Sequence, residues 1–191
     1  MPIRQRGSAL DLVVRGSVAL GGESMILVYT GEGKGKTSAS VGQAIRAVGQ
    51  GMRVCFAQFM KSDQRTGEQV FLAQTLHDDF YIGGCGFFRV EAERPQHRLA
   101  AQNTLAWAQQ RVGVCDMLVL DEALYALRAA LVSQQEIESL LDAAAAAGTH
   151  VVLSGRGLPA WLEARADTVS SLQEIKHAWR QGITATRGIE Y

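Results

Sequence analysis

Apolar and polar positions along the chain follow two periods in turn. Ile26 to Tyr29 is a short strand-prone run that leads into a glycine loop. Beyond the loop, Val41, Ala44, Ile45 and Val48 recur at three and four residues, which predicts one buried face of a helix stopped by Gly49 and Gly51. Arg53 to Phe59 is apolar without alternation and of strand length, so it predicts a strand covered on both faces, as in a parallel sheet. Met60 to Arg94 shows neither period and reads as a long irregular stretch, of the kind that is usually functional or disordered. Gln96 to Val112, with Leu99, Asn103, Ala106 and Trp107 at helical spacing, predicts a surface helix. Val114 to Leu120 is the third expected strand, and Glu122 to Leu131 and Gln134 to Ala147 are expected helices. The second of these carries Ile137, Leu140, Leu141 and Ala144 on one face, with Gly148 as its stop. Thr149 to Leu153 is the fourth strand, Pro159 opens a short helix through Ala164, Thr168 to Leu172 is the fifth strand, and Glu174 to Tyr191 is a polar tail. Strands alternating with helices predict an α/β fold with a mostly parallel sheet flanked by helices.

The glycine loop changes this from a fold reading to a chemical one. Met25 to Ser38 runs strand, loop, helix, with Thr30, Gly31, Glu32, Gly33, Lys34, Gly35, Lys36, Thr37 and Ser38 forming the turn and the helix start. A loop with little Cβ bulk lets successive N–H groups turn inward, and the helix start adds four unpaired donors, so together they cradle a polyphosphate. Lys36 supplies positive charge, and the Thr37 hydroxyl is an expected ligand for Mg2+. The usual P-loop pattern is G-x-x-x-x-G-K-[ST]; here the first glycine stands at 31 and Thr30 takes its place. A glycine turn that merely joins strand to helix would not explain Lys34 and Lys36 among three glycines.

Composition narrows the partners. With 191 residues, zero formal net charge and 20% charged residues, the chain has no basic footprint for nucleic acid and no acidic tail. No apolar run approaches a membrane span and the N-terminus lacks the apolar core of a signal peptide, so the expectation is a cytoplasmic protein without a membrane partner. Cys55, Cys85 and Cys115 never form a C-x-x-C pair and read as reduced thiols. Residues 1 to 23, broken by Gly7, Gly16, Gly21 and Gly22, are expected to be a mobile leader, and residues 24 to 191 a single nucleotide-binding domain.

Three further features fall at carboxyl ends of strands or in the irregular stretch. Ligands of open α/β sheets sit outside those carboxyl ends. Asp121 and Glu122 therefore lie near the loop, where a carboxylate holds magnesium directly or through water; the alternative is that Asp121 caps the following helix. Arg156 either reaches a phosphate or is a solvated loop arginine. Phe87 and Phe88 follow Gly83, Gly84 and Gly86, and one of them either lines a ligand surface or is an ordinary core residue.

Taken together these motifs resemble the P-loop type of ATP:corrinoid adenosyltransferase. The resemblance runs from Met25 to Tyr191 and rests on Thr30 to Thr37, Gln58-Phe59-Met60-Lys61, Gly67-Glu68, Gly84-Cys-Gly-Phe87, Leu118 to Glu122, Ser154-Gly-Arg156, Lys176-His177 and Gly188-Ile-Glu-Tyr191. It implies a RecA-like P-loop NTPase fold, a homodimer, and a reaction in which Co(I) of a reduced corrinoid attacks C5′ of the ATP ribose and triphosphate leaves. An electron-donating protein such as a flavodoxin would supply Co(I). Lys36 and Thr37 are then the expected catalytic residues, with Thr37, Asp121 and Glu122 at the metal and Phe87, Phe88 and Arg89 at the corrinoid. The leader would correspond to the segment that covers the corrinoid.

The chain departs from the family pattern at Arg89, where a Trp is usual, at Ser171, usually acidic, at Ala178-Trp179, usually Pro and an aromatic, and at Thr186, usually Gln. Two other functions fit the P-loop: a small-molecule kinase or ATPase, which would act on the γ-phosphate, and a non-catalytic ATP or corrinoid carrier.

Overall fold

The computed structural model describes residues 23–62, 66–86 and 88–190. All but the last residue of the expected leader lies outside them. The glycine loop joins β1 (Ile26–Thr30) to α1 (Lys36–Gly49), followed by β2 (Val54–Gln58), α2 (Gly67–Leu76), β3 (Phe80–Ile82), α3 (Arg94–Gln109), β4 (Met117–Asp121), α4 (Ala123–Arg128), α5 (Gln134–Ala147), β5 (His150–Ser154), α6 (Ala160–Arg165) and β6 (Thr168–Ser171). The strands form one sheet in the order β3-β2-β4-β5-β1-β6, and every neighbouring pair is parallel. Among the described residues no helix is long and apolar enough to cross a membrane.

Successive residues of the central strands point to opposite faces, and each face builds its own core. Val54 and Phe56 of β2, Met117 and Val119 of β4 and Val152 of β5 pack with Ala44 and Ala47 of α1 and Leu72 of α2. Their neighbours Cys55, Ala57, Leu118, Leu120, Val151 and Leu153 pack with α3, α4, α5 and Leu162 of α6 on the other side. The uninterrupted apolar runs thus reflect burial on both faces. The helix α5 matches its expected span, because its ends carry local signals. Ser133 N donates to Glu136 Oε2 (2.6 Å) and Glu136 N to Ser133 Oγ (3.2 Å), and Gly148 closes the helix at φ 73°.

The structure corrects the sequence reading at four places. The stretch from Met60 to Arg94 contains α2 and β3. Only Gln69 and Leu72 of α2 are buried while Val70 and Phe71 are exposed, so its apolar residues surround the helix instead of marking a face. Three-residue β3 is too short to show alternation. On α1 the expected Val41, Ala44 and Val48 pack on the core, with Ser40 and Ala47 also buried, but Ile45 is exposed; the face of α3 is rotated from expectation, burying His97, Ala101, Thr104, Leu105 and Ala108 and exposing Leu99. Small side chains let both helices lie close to the sheet, and a stripe drawn through the large apolar residues misses that. The run expected as a strand from Val114 begins pairing only at Met117.

Glycine at two positions has opposite consequences. A Cβ on Gly84 would stand 2.4 Å from Met60 C and 2.6 Å from Lys61 N, both backbone atoms, whereas a Cβ on Gly42 in α1 meets nothing within 4 Å. Gly84→Ala should therefore lose about 1–3 kcal/mol through overpacking and melt roughly 2–12 °C lower. Gly42→Ala should gain about 0.4–1 kcal/mol, or roughly 1–4 °C. Thermal unfolding followed by circular dichroism reads both, and equal shifts would contradict the packing described.

Candidate functional site

The loop after β1 takes its shape from a segment far along the chain. Gly33 N donates to Leu172 O (2.8 Å), and Leu172 N donates to Thr30 O (2.8 Å). Gly31, at φ 100°, lies so near this segment that a Cβ would be 2.4 Å from Leu172 O, and one on Gly33 would be 2.7 Å from Gln173 C. Hence the glycines at 31 and 33 answer to the end of β6. Gly35, at φ 112°, turns the chain into α1. Lys36 curls back over the loop, its ammonium donating to Gly31 O (2.8 Å) and Gly33 O (2.6 Å). Burial pushes its pKa below the ordinary lysine value and the Arg156 charge adds to this, while Glu122, Glu32 and Asp121 oppose it.

At the carboxyl end of β4, Asp121 is fully buried and has partners on three sides. Ser154 Oγ at the end of β5 donates at 2.6 Å, Gln58 Nε2 at the end of β2 at 3.2 Å, and Thr37 Oγ1 of α1 at 3.1 and 3.2 Å to the two carboxylate oxygens. Asp121 does not cap α4: the capping position is held by Glu122, in left-handed backbone at φ 61° with no side-chain cap bond. β5 lies between β4 and β1, so Ser154 bridges the strand carrying Asp121 and the one carrying the loop. Its Oγ also accepts from Glu122 N (3.1 Å).

Lys61, just beyond β2, reaches the same place. Its ammonium lies 3.2 Å from Thr37 Oγ1, 3.6 Å from Asp121 Oδ2 and 3.0 Å from Glu68 Oε1. Burial alone would raise the Glu68 pKa, but the hydrogen bond and charge of Lys61 outweigh it and hold the carboxyl below its ordinary value. Glu122 is shifted the other way, upward, by burial and then by the charge of Asp121, against Lys36, Lys61 and Arg156. Magnesium suits this donor set, since hydroxyl and carboxylate oxygens are hard ligands and a cation, the Lys61 ammonium, already sits against both. Thr37 and Asp121 are the residues able to hold it, with Glu122 beside them.

A cleft of about 1040 Å³ opens over the loop, lined by Glu32 to Ser38 and by Lys61, Glu68, Glu122, Tyr125, Arg156 and Glu190 among others. Arg156, though exposed, is anchored on the loop, donating to Glu32 O (3.0 Å) and pairing with Glu32 Oε2 (3.2 Å). Lys34 donates to Ile189 O (2.7 Å) and Glu190 Oε1 (2.6 Å), which brings the C-terminal tail onto the rim. Phe88 and Arg89 both border the cleft. Phe88 is half-buried: its ring meets the edge of His97 (5.5 Å), Arg94 lies 4.7 Å above it, and its carbonyl accepts from Tyr125 (3.2 Å). Arg89 is exposed, and Phe87 lies outside the described residues. Sequence reasoning missed Lys61, Glu68 and Glu190 as site residues. For the first two, the signal was the Gln58-Phe59-Met60-Lys61 and Gly67-Glu68 motifs following a strand that ends beside the loop.

These features can be set beside known proteins. The family model described as ATP:corrinoid adenosyltransferase BtuR/CobO/CobP matches residues 22–191. A corrinoid adenosyltransferase of Pseudomonas aeruginosa is 34% identical over 171 residues, covering 87% of this chain and 83% of its own. Corrinoid adenosyltransferase CobA of Salmonella typhimurium is 35% identical over 169 residues, covering 87% and 85%. Among solved structures, the flagellar accessory protein FlaH of Methanocaldococcus jannaschii superposes with a TM-score of 0.52 at 13% identity, covering 78% of this chain and 70% of its own, a likeness of fold alone. The fold is the RecA-like P-loop architecture, and the chain belongs to the ATP:corrinoid adenosyltransferase family.

Proposed function

We propose that this protein transfers the 5′-deoxyadenosyl group of ATP to Co(I) of a corrinoid and releases triphosphate. The observation that carries the reading, beside family membership, is a glycine loop, a buried lysine and a half-buried Thr37 bonded to the buried Asp121, gathered at one cleft large enough for a nucleotide and part of a second substrate. The carbon–cobalt bond forms as the C5′–oxygen bond breaks, with the electron pair going to the triphosphate, so the protein's task is to stabilise charge on that leaving group. Loop N–H groups and Lys36 are placed for this, with Arg156 at the edge. Magnesium, held by Thr37 and Asp121 with Glu122 adjacent, would supply further charge neutralisation. Alkyl transfer by this route needs no nucleophilic side chain.

Three further readings accompany this one. The corrinoid would lie against Phe87, Phe88 and Arg89, of which Phe88 and Arg89 border the same cleft. A second copy is a suitable cover for β6, whose four residues are all exposed at a sheet edge beside exposed Ile175 and Trp179, which supports a homodimer. Free thiols at Cys55, Cys85 and Cys115 fit a reducing cytoplasm, where an electron-donating protein such as a flavodoxin could deliver Co(I).

Lys36→Ala should leave the fold intact and lower turnover at limiting ATP by about 10- to 100-fold, the value of a lost charge-assisted hydrogen bond. Steady-state assay of adenosylcorrinoid formation checks it, with triphosphate release dependent on reduced corrinoid separating this activity from a kinase or ATPase. An unaltered rate would remove the phosphate-cradle assignment.

Asp121→Asn should raise the magnesium concentration needed for half-maximal activity, with a smaller effect for Glu122→Gln, because only Asp121 touches Thr37. Metal titrations of the folded variants decide this. Unchanged dependence in both would make the pair structural.

Arg89 should limit the use of complete cobalamin from Co(II), since a charged planar group does not press into the lower corrin face as an apolar wedge would. Corrinoids lacking the lower base need no displacement of that base from cobalt and should react better. Comparing cobalamin with cobinamide under one reductant, in wild type and Arg89→Trp, tests it: equal rates on both substrates, unmoved by the substitution, would place Arg89 away from the corrin.

A further inference from the structure

Lys61 belongs to no part of the glycine loop, yet it occupies the centre of the proposed metal position. Its ammonium accounts for three oxygens at once: Glu68 Oε1 at 3.0 Å, Thr37 Oγ1 at 3.2 Å and Asp121 Oδ2 at 3.6 Å. Thr37 donates its hydroxyl hydrogen to Asp121 and accepts from Lys61 through the same oxygen, so the ammonium takes up one of the two lone pairs that oxygen could offer a metal. Asp121 is fully buried and its other donors, Ser154 and Gln58, are neutral, which makes Lys61 the cation nearest to its charge among the ion pairs of the described residues. A divalent cation on Thr37 Oγ1 and Asp121 would meet the ammonium as a like charge at close range, which favours its departure.

We propose that Lys61 is an internal counter-cation of the Thr37–Asp121 pair, displaced when a divalent cation binds there, and that it then turns on its Glu68 contact toward the polyphosphate. This rests on the reading above that magnesium sits on Thr37 and Asp121. Lys61 is in this sense a positioning residue: a compact charge on a flexible four-carbon stem, bordering the cleft. The metal alone must expel Lys61 from its partner on Asp121 and offers it nothing in return. The metal with ATP brings triphosphate oxygens as a new partner for Lys61, so metal and nucleotide bind cooperatively.

The test titrates Mn2+ as a spectroscopic substitute, following free Mn2+ by electron paramagnetic resonance with and without ATP, in wild type, Lys61→Gln and Asp121→Asn. Lys61→Gln keeps a neutral hydrogen-bonding side chain and should bind Mn2+ alone more tightly than wild type, by roughly the 5- to 150-fold of ordinary coupling. Its Mn2+ affinity should also rise less on adding ATP. If Lys61→Gln has wild-type affinity for Mn2+ alone while Asp121→Asn weakens Mn2+ binding with ATP, the metal position stands and the displacement idea is overturned. If Asp121→Asn leaves Mn2+ binding with ATP unchanged, the metal reading fails and takes this inference with it. Should Lys61→Gln not fold, the wild-type chain carries the test through reductive methylation mapped by mass spectrometry. Saturating Mn2+ without nucleotide should speed methylation at Lys61, and an unchanged rate would refute displacement.

Discussion

A carboxylate with no exposed surface is the constraint on which this site depends. Removing an ion from water costs several kcal/mol even after relaxation, and the cost is recovered only when its oxygens are fully bonded. Asp121 meets that demand with Ser154, Gln58 and Thr37, and with the nearby charge of Lys61. Each partner stands at the end of a different element: β5, β2, the start of α1 and the segment after β2. The carboxyl ends of three strands and the amino end of one helix are therefore fixed relative to one another by a single side chain. Gln69 of α2 extends the network by donating to Gln58 Oε1 (3.0 Å), so an otherwise weakly buried helix is tied to the same centre.

The charges around Asp121 show how a protein of zero net charge can prepare a polyanion site. Three cations around the loop have carboxylate partners: Lys34 with Glu190, Lys61 with Glu68, Arg156 with Glu32. Exposed or half-exposed pairs of this kind contribute only about 0–1 kcal/mol each. They spare the free protein the repulsion of clustered like charges at little energetic depth, and a polyphosphate with several charges can replace the carboxylates one by one. Lys36 is the exception, held by loop carbonyls and not by an acid. Its lowered pKa follows from burial beside Arg156, an environment that an incoming anion would reverse.

What could be read from the sequence was whatever has a local cause. The strand–loop–helix at Met25 to Ser38, the span of α5 with its Ser133 cap and Gly148 stop, and the acidic pair at the end of β4 all carry their signal within a few residues. Elements without such signals were not legible. The helix α2 has apolar residues on all sides and β3 has three residues, so neither shows a period. Ile45 of α1 and Leu99 of α3 are exposed although helical spacing puts them on the expected faces, because a stripe read through large apolar side chains overlooks small ones such as Ser40, Ala47, Ala101 and Ala108. Lys61 and Glu68 entered only as part of a resemblance. Nothing in their spacing says that they would meet Thr37, since that contact is made by the packing of β2 beside β4.

The displaced glycine of the loop makes the same point from the other direction. In sequence, Gly31 is a departure from the usual pattern; in the structure, the pattern has simply followed a neighbour. Leu172, just past β6, bonds to Thr30 and Gly33 from one side of the loop, and its carbonyl occupies the volume where a Cβ at 31 would go. Position 30, still within β1 and paired with Ser171, carries a threonine. The loop's shape is thus a property of two distant stretches of chain. The same stretch continues into the tail whose Glu190 holds Lys34, so the loop is flanked on both sides by residues that arrive last from the sequence. The loop's geometry therefore rests on contacts with the carboxyl-terminal part of the chain, which makes it a non-local feature of the fold, in contrast to α5, whose ends are set by their own residues.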